Sequence, residues 1–143
     1  MSQAIPRHRS DFKFFTPMTT RWTDNDVYGH VNNITYYSYF DTAVNRYLIE
    51  ANVLDIEAGE VIGLIVENTC HYFSSIAFPD NIDVAVKVAR LGNSSVRYEL
   101  AVFKQGEPLC AAHGYFVHVY VNRVSRRPVP LPPLLRQALE QLT

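Results

Sequence analysis

Residues 33–51, NITYYSYFDTAVNRYLIEA, contain the longest helical pattern in the chain. Their apolar side chains recur with i, i+3, i+4, i+7 spacing, and no glycine or proline interrupts them. The pattern predicts an amphipathic helix of roughly five turns, about 30 Å long at 1.5 Å per residue. A helix with one broad apolar face must bury that face against another element. Asn32 or Asn33 is expected to act as its N-cap.

Outside this helix the apolar period falls to two, which indicates strands. Short connectors rich in turn-forming residues separate the later strands, so consecutive strands are expected to be antiparallel. Residues 1–16 lack a regular pattern, and the proline-rich tail is expected to stop the sheet before a short helix. We therefore predict an α+β fold with strands at 17–22, 61–75, 82–90, 95–104 and 109–121.

Composition narrows the class of protein. The 143 residues, 48% hydrophobic and 19% charged, predict one globular domain spanning residues 1–143. A net charge of −1, without a dense basic face, does not favour nucleic-acid binding. No apolar stretch suggests a secretory signal or a membrane span, so a cytoplasmic location without membrane association is expected. Cys70 and Cys110 lie in apolar alternating runs and are expected to be buried free thiols.

The loop before the helix, RWTDNDVYGHVNN at 21–33, concentrates chemically active side chains. Asp24 is interpreted as a helix-end and turn residue. Asp26 lies too far ahead of the helix to compensate its dipole, and Gly29 allows a turn between the two. A carboxylate beside free helix N–H groups suits carbonyl chemistry, because those groups can bind a developing oxyanion while the carboxylate attacks or activates water.

The pattern Arg21-x-x-Asp24-x-Asp26-x-x-Gly29-His30-Val31-Asn32-Asn33-x-x-Tyr36 resembles hotdog-fold acyl-CoA thioesterases of the 4-hydroxybenzoyl-CoA thioesterase family. The resemblance covers nearly the whole chain and implies a long central helix wrapped by a five-stranded antiparallel sheet. It implies that Asp26 is the catalytic carboxylate and that the backbone N–H of Asn33, or of its neighbour within one residue, polarises the thioester carbonyl. The His30–Asn33 run is absent from the founding members, so the sequence looks closer to the branch acting on fatty or other acyl-CoA thioesters.

The resemblance also suggests residues that bind the substrate. Gly29 would let the chain approach the thioester, and His30 would either orient Asp26 or water, or bond to backbone as an ordinary loop histidine. Tyr36 or Tyr37 would line an acyl pocket. Tyr28 and Asn32 are further substrate-binding candidates. The candidates for binding the phosphates or pantetheine of CoA are arginines and serines: Arg90, Ser94, Ser95, Arg97, Arg126 and Arg127.

Two rival functions remain open at this stage: a hotdog hydratase or dehydratase, and a non-catalytic binder of acyl-CoA or acyl-carrier protein. The absence of a Gly-x-Ser-x-Gly pattern argues against the unrelated serine-dependent thioesterases. His71, His113 and His118 are expected to be packed or surface residues, and Glu67 to be exposed or paired. We expect no metal or other cofactor. The resemblance implies a homodimer or homotetramer, and an oligomer suits a single sheet that leaves edges to protect.

Overall fold

The computed structural model describes residues 4–143. One long helix, α1, spans Thr35–Glu50, and a short one, α2, spans Pro133–Glu140. Two single-turn 3₁₀ helices, Arg9–Asp11 and Trp22–Asp24, flank the first strand. The strands are β1 (Phe14–Thr19), β2 (Val61–Tyr72), β3 (Asn81–Leu91), β4 (Ser95–Lys104) and β5 (Ala112–Asn122).

All five strands form one antiparallel sheet in the order β1-β3-β4-β5-β2. The inner face of the sheet surrounds α1, which buries its apolar stripe there. Phe40 is fully buried at the centre of this core and packs edge-on against Phe116 of β5. The predicted α+β architecture, a long helix against a five-stranded antiparallel sheet, is therefore confirmed.

The outer face of the sheet carries a smaller apolar cluster. Phe12, Phe103 and Cys110 are buried there, beneath the chain that precedes β1. Both cysteines are free thiols, and Cys110 is buried as predicted, whereas Cys70 is only partly buried. No helix within residues 4–143 is long and apolar enough to cross a membrane.

The predicted ends of the first, second and fifth strands were wrong. The first strand occupies 14–19 and not 17–22, because Thr20 leaves the sheet by bonding through both its N–H and its hydroxyl to the Asp80 carbonyl. The second strand ends at Tyr72, since Phe73 and Ser74 both donate to the Ala111 carbonyl. The fifth strand consequently begins at residue 112.

The helix also begins later than predicted, at Thr35, and neither asparagine is its N-cap. Ile34 occupies that position without a side-chain cap, because its own side chain has no acceptor. Asn32 instead accepts hydrogen bonds from the residues that lead into the helix. Its side-chain oxygen accepts from the Ile34 N–H at 3.1 Å, and its carbonyl accepts from the Thr35 N–H at 2.9 Å. The asparagine therefore orders the approach to the helix.

The core packing of α1 generates a stability prediction. Phe40→Ala removes a fully buried ring from between the helix and the sheet, and we expect it to lower the free energy of unfolding by about 3–5 kcal/mol. Urea denaturation measures the loss. Ile49→Ala on the same helix is the control, because Ile49 is 44% exposed and should cost about 1 kcal/mol or less. Equal losses for the two variants would contradict this account of the core.

Candidate active site

The loop between β1 and α1 folds back on itself as a short hairpin. Asn25 and Val31 form an isolated β-bridge, and inside it the Asp26 N–H donates to the His30 carbonyl at 2.9 Å. The turn closes with a 3.2 Å bond from the Gly29 N–H to the Asp26 carbonyl. Gly29 has φ +85°, a conformation that glycine adopts without the penalty of a side chain. The predicted glycine-dependent turn is therefore present.

Asp24 anchors this hairpin to the helix. Its carboxylate is buried and accepts a 2.7 Å bond from the Tyr39 hydroxyl, one turn inside α1, and a 2.8 Å bond from the Arg21 N–H. Its own carbonyl accepts from the Asn32 N–H at 2.9 Å. Burial, followed by the bond to Asp24, raises the pKa of Tyr39, so the hydroxyl stays protonated and donates. Asp24 thus shapes the loop as predicted, by tying it to α1.

Asp26 presents its carboxylate at the mouth of the hairpin. One oxygen accepts from the Tyr28 N–H at 2.9 Å, which fixes the plane of the group. The other lies 3.7 Å from Nδ1 of His30. The side chain is 17% exposed, so most of its surface is screened from water while one edge remains accessible. A carboxylate held in this way is positioned to act on a bound group as a base or a nucleophile.

Asn33 stands between this hairpin and the first turn of α1. Within residues 4–143 its backbone N–H has no hydrogen-bond acceptor, whereas its carbonyl accepts from the Tyr72 hydroxyl at 3.0 Å. The bond from Tyr72 ties the Asn33 backbone to the end of β2. A free N–H beside a helix N-terminus is a donor for an anion or a polarised carbonyl.

A cleft of about 490 Å³ brings these groups together. The sequence-based candidates that line it are Asp26, Tyr28, His30, Asn33 and Tyr36. Sequence reasoning missed the other wall, which the end of β2 and the following residues supply: Tyr72, Phe73, Ser74 and Ser75. Their only signal in the sequence is the serine pair that closes an apolar strand, and its meaning depends on the register of β2 against β5.

The remaining candidates lie outside this cleft. Asn32 is half-buried beneath the loop, and Tyr37 stacks on Phe116 in the floor beside α1. Arg90, Ser94 and Ser95 belong to the β3–β4 hairpin, and Arg126 follows β5 in a left-handed turn. Ser95 lies far from the cleft. It pairs with Val119 of β5, whereas Tyr72 in the wall of the cleft pairs with Ala112 of the same strand. Those two partners are seven residues apart, roughly 23 Å at the usual strand rise.

The structure is compatible with both roles that the sequence left open for His30, orienting Asp26 and bonding to the backbone. Its Nδ1 is 3.7 Å from a carboxylate oxygen of Asp26 and 3.4 Å from the Val31 carbonyl. Its ring also stacks on Tyr28 with centroids 6.4 Å apart. The geometry thus allows both the orienting contact with Asp26 and the backbone contact, and a catalytic role for His30 stays a prediction.

Of the three strand histidines, His71 is exposed, whereas His113 and His118 are partly or fully buried. His118 is buried among Tyr98, Phe116 and Tyr120, and burial lowers its pKa to about 4, so its ring is neutral at pH 7. Burial also lowers the pKa of His113. Glu67 is exposed and accepts a 2.8 Å bond from the Tyr115 hydroxyl. Within the described part of the chain, no group of three or more metal-binding side chains is placed to hold a metal ion.

Comparison with known proteins identifies the family. A family model described as the thioesterase-like superfamily matches residues 20–139, which include the hairpin, α1, β2 to β5 and all of α2 except its last residue. The chain belongs to this superfamily. The five-stranded antiparallel sheet around one helix is accordingly a hotdog fold, as the sequence resemblance implied.

Solved structures agree with that assignment. The PA5185 protein from Pseudomonas aeruginosa is 56% identical, with a TM-score of 0.95 and 97% of each chain covered. The 1,4-dihydroxy-2-naphthoyl-CoA thioesterase from Synechocystis shares the fold at 17% identity, with a TM-score of 0.82 over 90% of this chain and 96% of that one. BH1999, a gentisyl-coenzyme A thioesterase, is 25% identical, with a TM-score of 0.78 over 88% and 99%.

The anchor between Asp24 and Tyr39 generates the second prediction. Tyr39→Phe leaves a buried carboxylate without one of its donors, and we expect the free energy of unfolding to fall by about 1–3 kcal/mol. Thermal and urea unfolding measure the change. Tyr28→Phe is the matched control, since Tyr28 is 82% exposed and its hydroxyl has no partner within residues 4–143. Tyr39→Phe as stable as Tyr28→Phe would show that the anchor contributes nothing.

Proposed function

We propose that this thioesterase-like protein hydrolyses an acyl-CoA thioester to the free acid and CoA. One observation carries the proposal: Asp26 and Asn33, whose backbone N–H has no acceptor within residues 4–143, line the same cleft at the start of α1. A carboxylate and an anion-binding N–H are the two groups that thioester hydrolysis needs from a protein. The similar gentisyl-coenzyme A thioesterase, whose name states its substrate, supports CoA as the leaving group.

In the proposed reaction the thioester carbonyl accepts a hydrogen bond from the Asn33 N–H. The dipole of α1 adds positive potential at the same point, so negative charge that develops on the carbonyl oxygen is stabilised. The Tyr72 hydroxyl holds the Asn33 carbonyl and thereby the orientation of the neighbouring backbone. These groups are in place before the substrate arrives, which keeps the cost of reorganisation low.

Asp26 is proposed to act as the nucleophile or as the general base. It either attacks the carbonyl carbon to form an anhydride that water then cleaves, or it takes a proton from a water that attacks instead. In both routes the C–S bond breaks and CoA leaves as a thiolate. The leaving group needs no strong acid, because a thiol has a pKa of about 8.5. Neither route calls for a metal or a redox cofactor.

The acyl group is proposed to extend from the cleft along α1. Tyr36 lines the cleft, and Tyr37, the next residue of α1, stacks on the ring of Phe116. Burial raises the pKa of Tyr36 to about 12, so its hydroxyl stays neutral beside the acyl group. This aromatic lining favours an apolar or aryl acyl chain. A cytoplasmic location belongs to the same proposal.

A homodimer formed through β2 completes the proposal. β2 is an edge strand, and Leu64, Ile65 and Val66 follow one another there in exposed positions. The register of β2 against β5 shifts between Ile65 and Glu67, which leaves Val66 without a partner in the ladder. An apolar, unpaired edge of this kind is an association site, and pairing with β2 of a second copy would satisfy its free backbone groups.

The function is tested by thiol release from short, long and aromatic acyl-CoA esters. We expect the wild-type protein to release CoA from at least one class, and Asp26→Asn to lower kcat by about 10²–10⁴-fold because the carboxylate is lost. Asp11→Asn is the matched control, since Asp11 contacts the His8 N–H on the far side of the sheet and should leave kcat unchanged. Circular dichroism and the melting temperature establish that both variants are folded.

Two results would contradict the proposal. Full activity in Asp26→Asn would remove that carboxylate from the chemistry. Tight binding of acyl-CoA without release of thiol from any ester would favour the non-catalytic binder.

The dimer has a separate test. Light scattering is expected to give twice the 16.3 kDa chain mass for the wild type and one chain mass for Val66→Lys, because lysine places a charge in the proposed interface. Val124→Lys is the control, since Val124 is 89% exposed after β5 and should leave the mass unchanged. A dimer that survives Val66→Lys would place the interface elsewhere.

A further inference from the structure

A second cluster of polar side chains lies on the outer face of the sheet, opposite the cleft. Cross-strand pairing sets Thr69 of β2 and Glu99 of β4 on either side of Tyr115 of β5. Two residues further along β2, His71 is the cross-strand partner of His113 of β5. With Arg7 and Arg97, these residues line a pocket of about 370 Å³. The mechanism proposed above uses none of them.

Two polar atoms in this pocket lack partners. Within residues 4–143, the Thr69 hydroxyl and Nε2 of His113 are buried and make no hydrogen bond. An orphaned buried polar atom is costly, so each one in a native structure calls for an explanation. Both groups can donate a proton to an oxygen acceptor. Two neighbouring orphans in one pocket therefore indicate a ligand rich in acceptor oxygens.

The guanidinium of Arg97 supplies charge to the same pocket. It lies 3.7 Å above the centre of the Tyr115 ring, which fixes its position, and within the described chain it makes no hydrogen bond or ion pair. Arg90 pairs with Arg97 across the β3–β4 ladder and is also exposed. The two carboxylates nearby are already engaged, Glu99 with Arg7 at 3.6 Å and Glu67 with the Tyr115 hydroxyl. The charged side chains that line the pocket are Arg7, Arg97 and Glu99, so the lining carries more positive than negative charge.

The pocket and the cleft meet at the end of β2. His71 and Tyr72 are consecutive strand residues, so their side chains point to opposite faces. His71 lines the outer pocket, whereas Tyr72 lines the cleft and holds Asn33. Because Tyr72 is the last residue of β2, an edge strand, a pantetheine arm would pass from one face to the other around the end of this strand and not through the ladder.

We infer that the outer-face pocket, through Arg97, Thr69 and His113, binds the phosphate groups of the CoA nucleotide while the thioester occupies the cleft. Arginine is suited to this contact because its planar fork binds two phosphate oxygens at once. The inference rests on the proposed function, and it favours CoA esters over thioesters that lack a nucleotide. It also assigns the sequence-based candidate Arg90 to the rim of this site.

The test compares two thioesters of the same acyl group, one on CoA and one on pantetheine, which has no nucleotide. The wild type is expected to show a lower KM for the CoA ester. Arg97→Gln and Thr69→Val should each raise the KM for the CoA ester about tenfold, with kcat and the KM for the pantetheine ester unchanged. Arg97→Lys should restore part of the loss. Arg46→Gln is the control, because Arg46 lies on α1 paired with Glu50.

Binding of the nucleotide alone gives a readout that does not depend on activity. Titration calorimetry with adenosine 3′,5′-bisphosphate should show binding to the wild type and to Arg46→Gln, about tenfold weaker in Arg97→Gln. The same nucleotide should inhibit hydrolysis of the CoA ester competitively. Binding to Asp26→Asn should equal that of the wild type.

Several outcomes would overturn the inference. These are equal KM values for the two esters in the wild type, a KM change in Arg97→Gln that affects both esters alike, or inhibition by the nucleotide that is not competitive. The failure of the proposed function looks different, since neither ester would then release a thiol. Nucleotide binding that is lost in Arg97→Gln would support the pocket even in that case.

Discussion

The arrangement of the cleft depends on one buried carboxylate. Asp24 joins the hairpin to α1 through the Tyr39 hydroxyl and joins its own segment to Asn32 through the backbone. Because these bonds lie away from water, they fix the distance between the part of the loop that carries Asp26 and the part that ends at Asn33. Without that tie, two reactive groups seven residues apart in sequence would not face one volume.

The periodic pattern of apolar residues was enough to predict the regular helix and the central strands. The 3.6-residue period of α1 and the strict alternation of β3 and β4 each reflect a face that must be buried, so the sequence was sufficient for both. The turn at Gly29 was also predicted, because glycine has a local preference for such a turn, whereas the pairing of Asn25 with Val31 was not. The ends of β1, β2 and β5 were misplaced because they depend on bonds to distant carbonyls, at Asp80 and Ala111, that no local window contains.

The same limit applies to function. Asp26 and Asn33 share a short segment, so their association could be anticipated. Tyr72 reaches Asn33 from 39 residues away, and the outer-face pocket gathers four segments through the register of β2, β5 and β4. Such sites arise from strand pairing, which a single sequence leaves open. In the proposed arrangement, the end of β2 separates the cleft, where the carbonyl would react, from the outer-face pocket, where the phosphate groups would bind.

The claim that one carbonyl is held between Asp26 and the Asn33 N–H is tested most directly by NMR of the Asn33 amide. The probe is a CoA thioether whose acyl carbonyl is retained as an unreactive ketone, compared with the same thioether carrying a methylene in place of the carbonyl. The account predicts a downfield shift of the Asn33 amide proton with the ketone and not with the methylene compound. Binding of both compounds without any difference at Asn33 would contradict it.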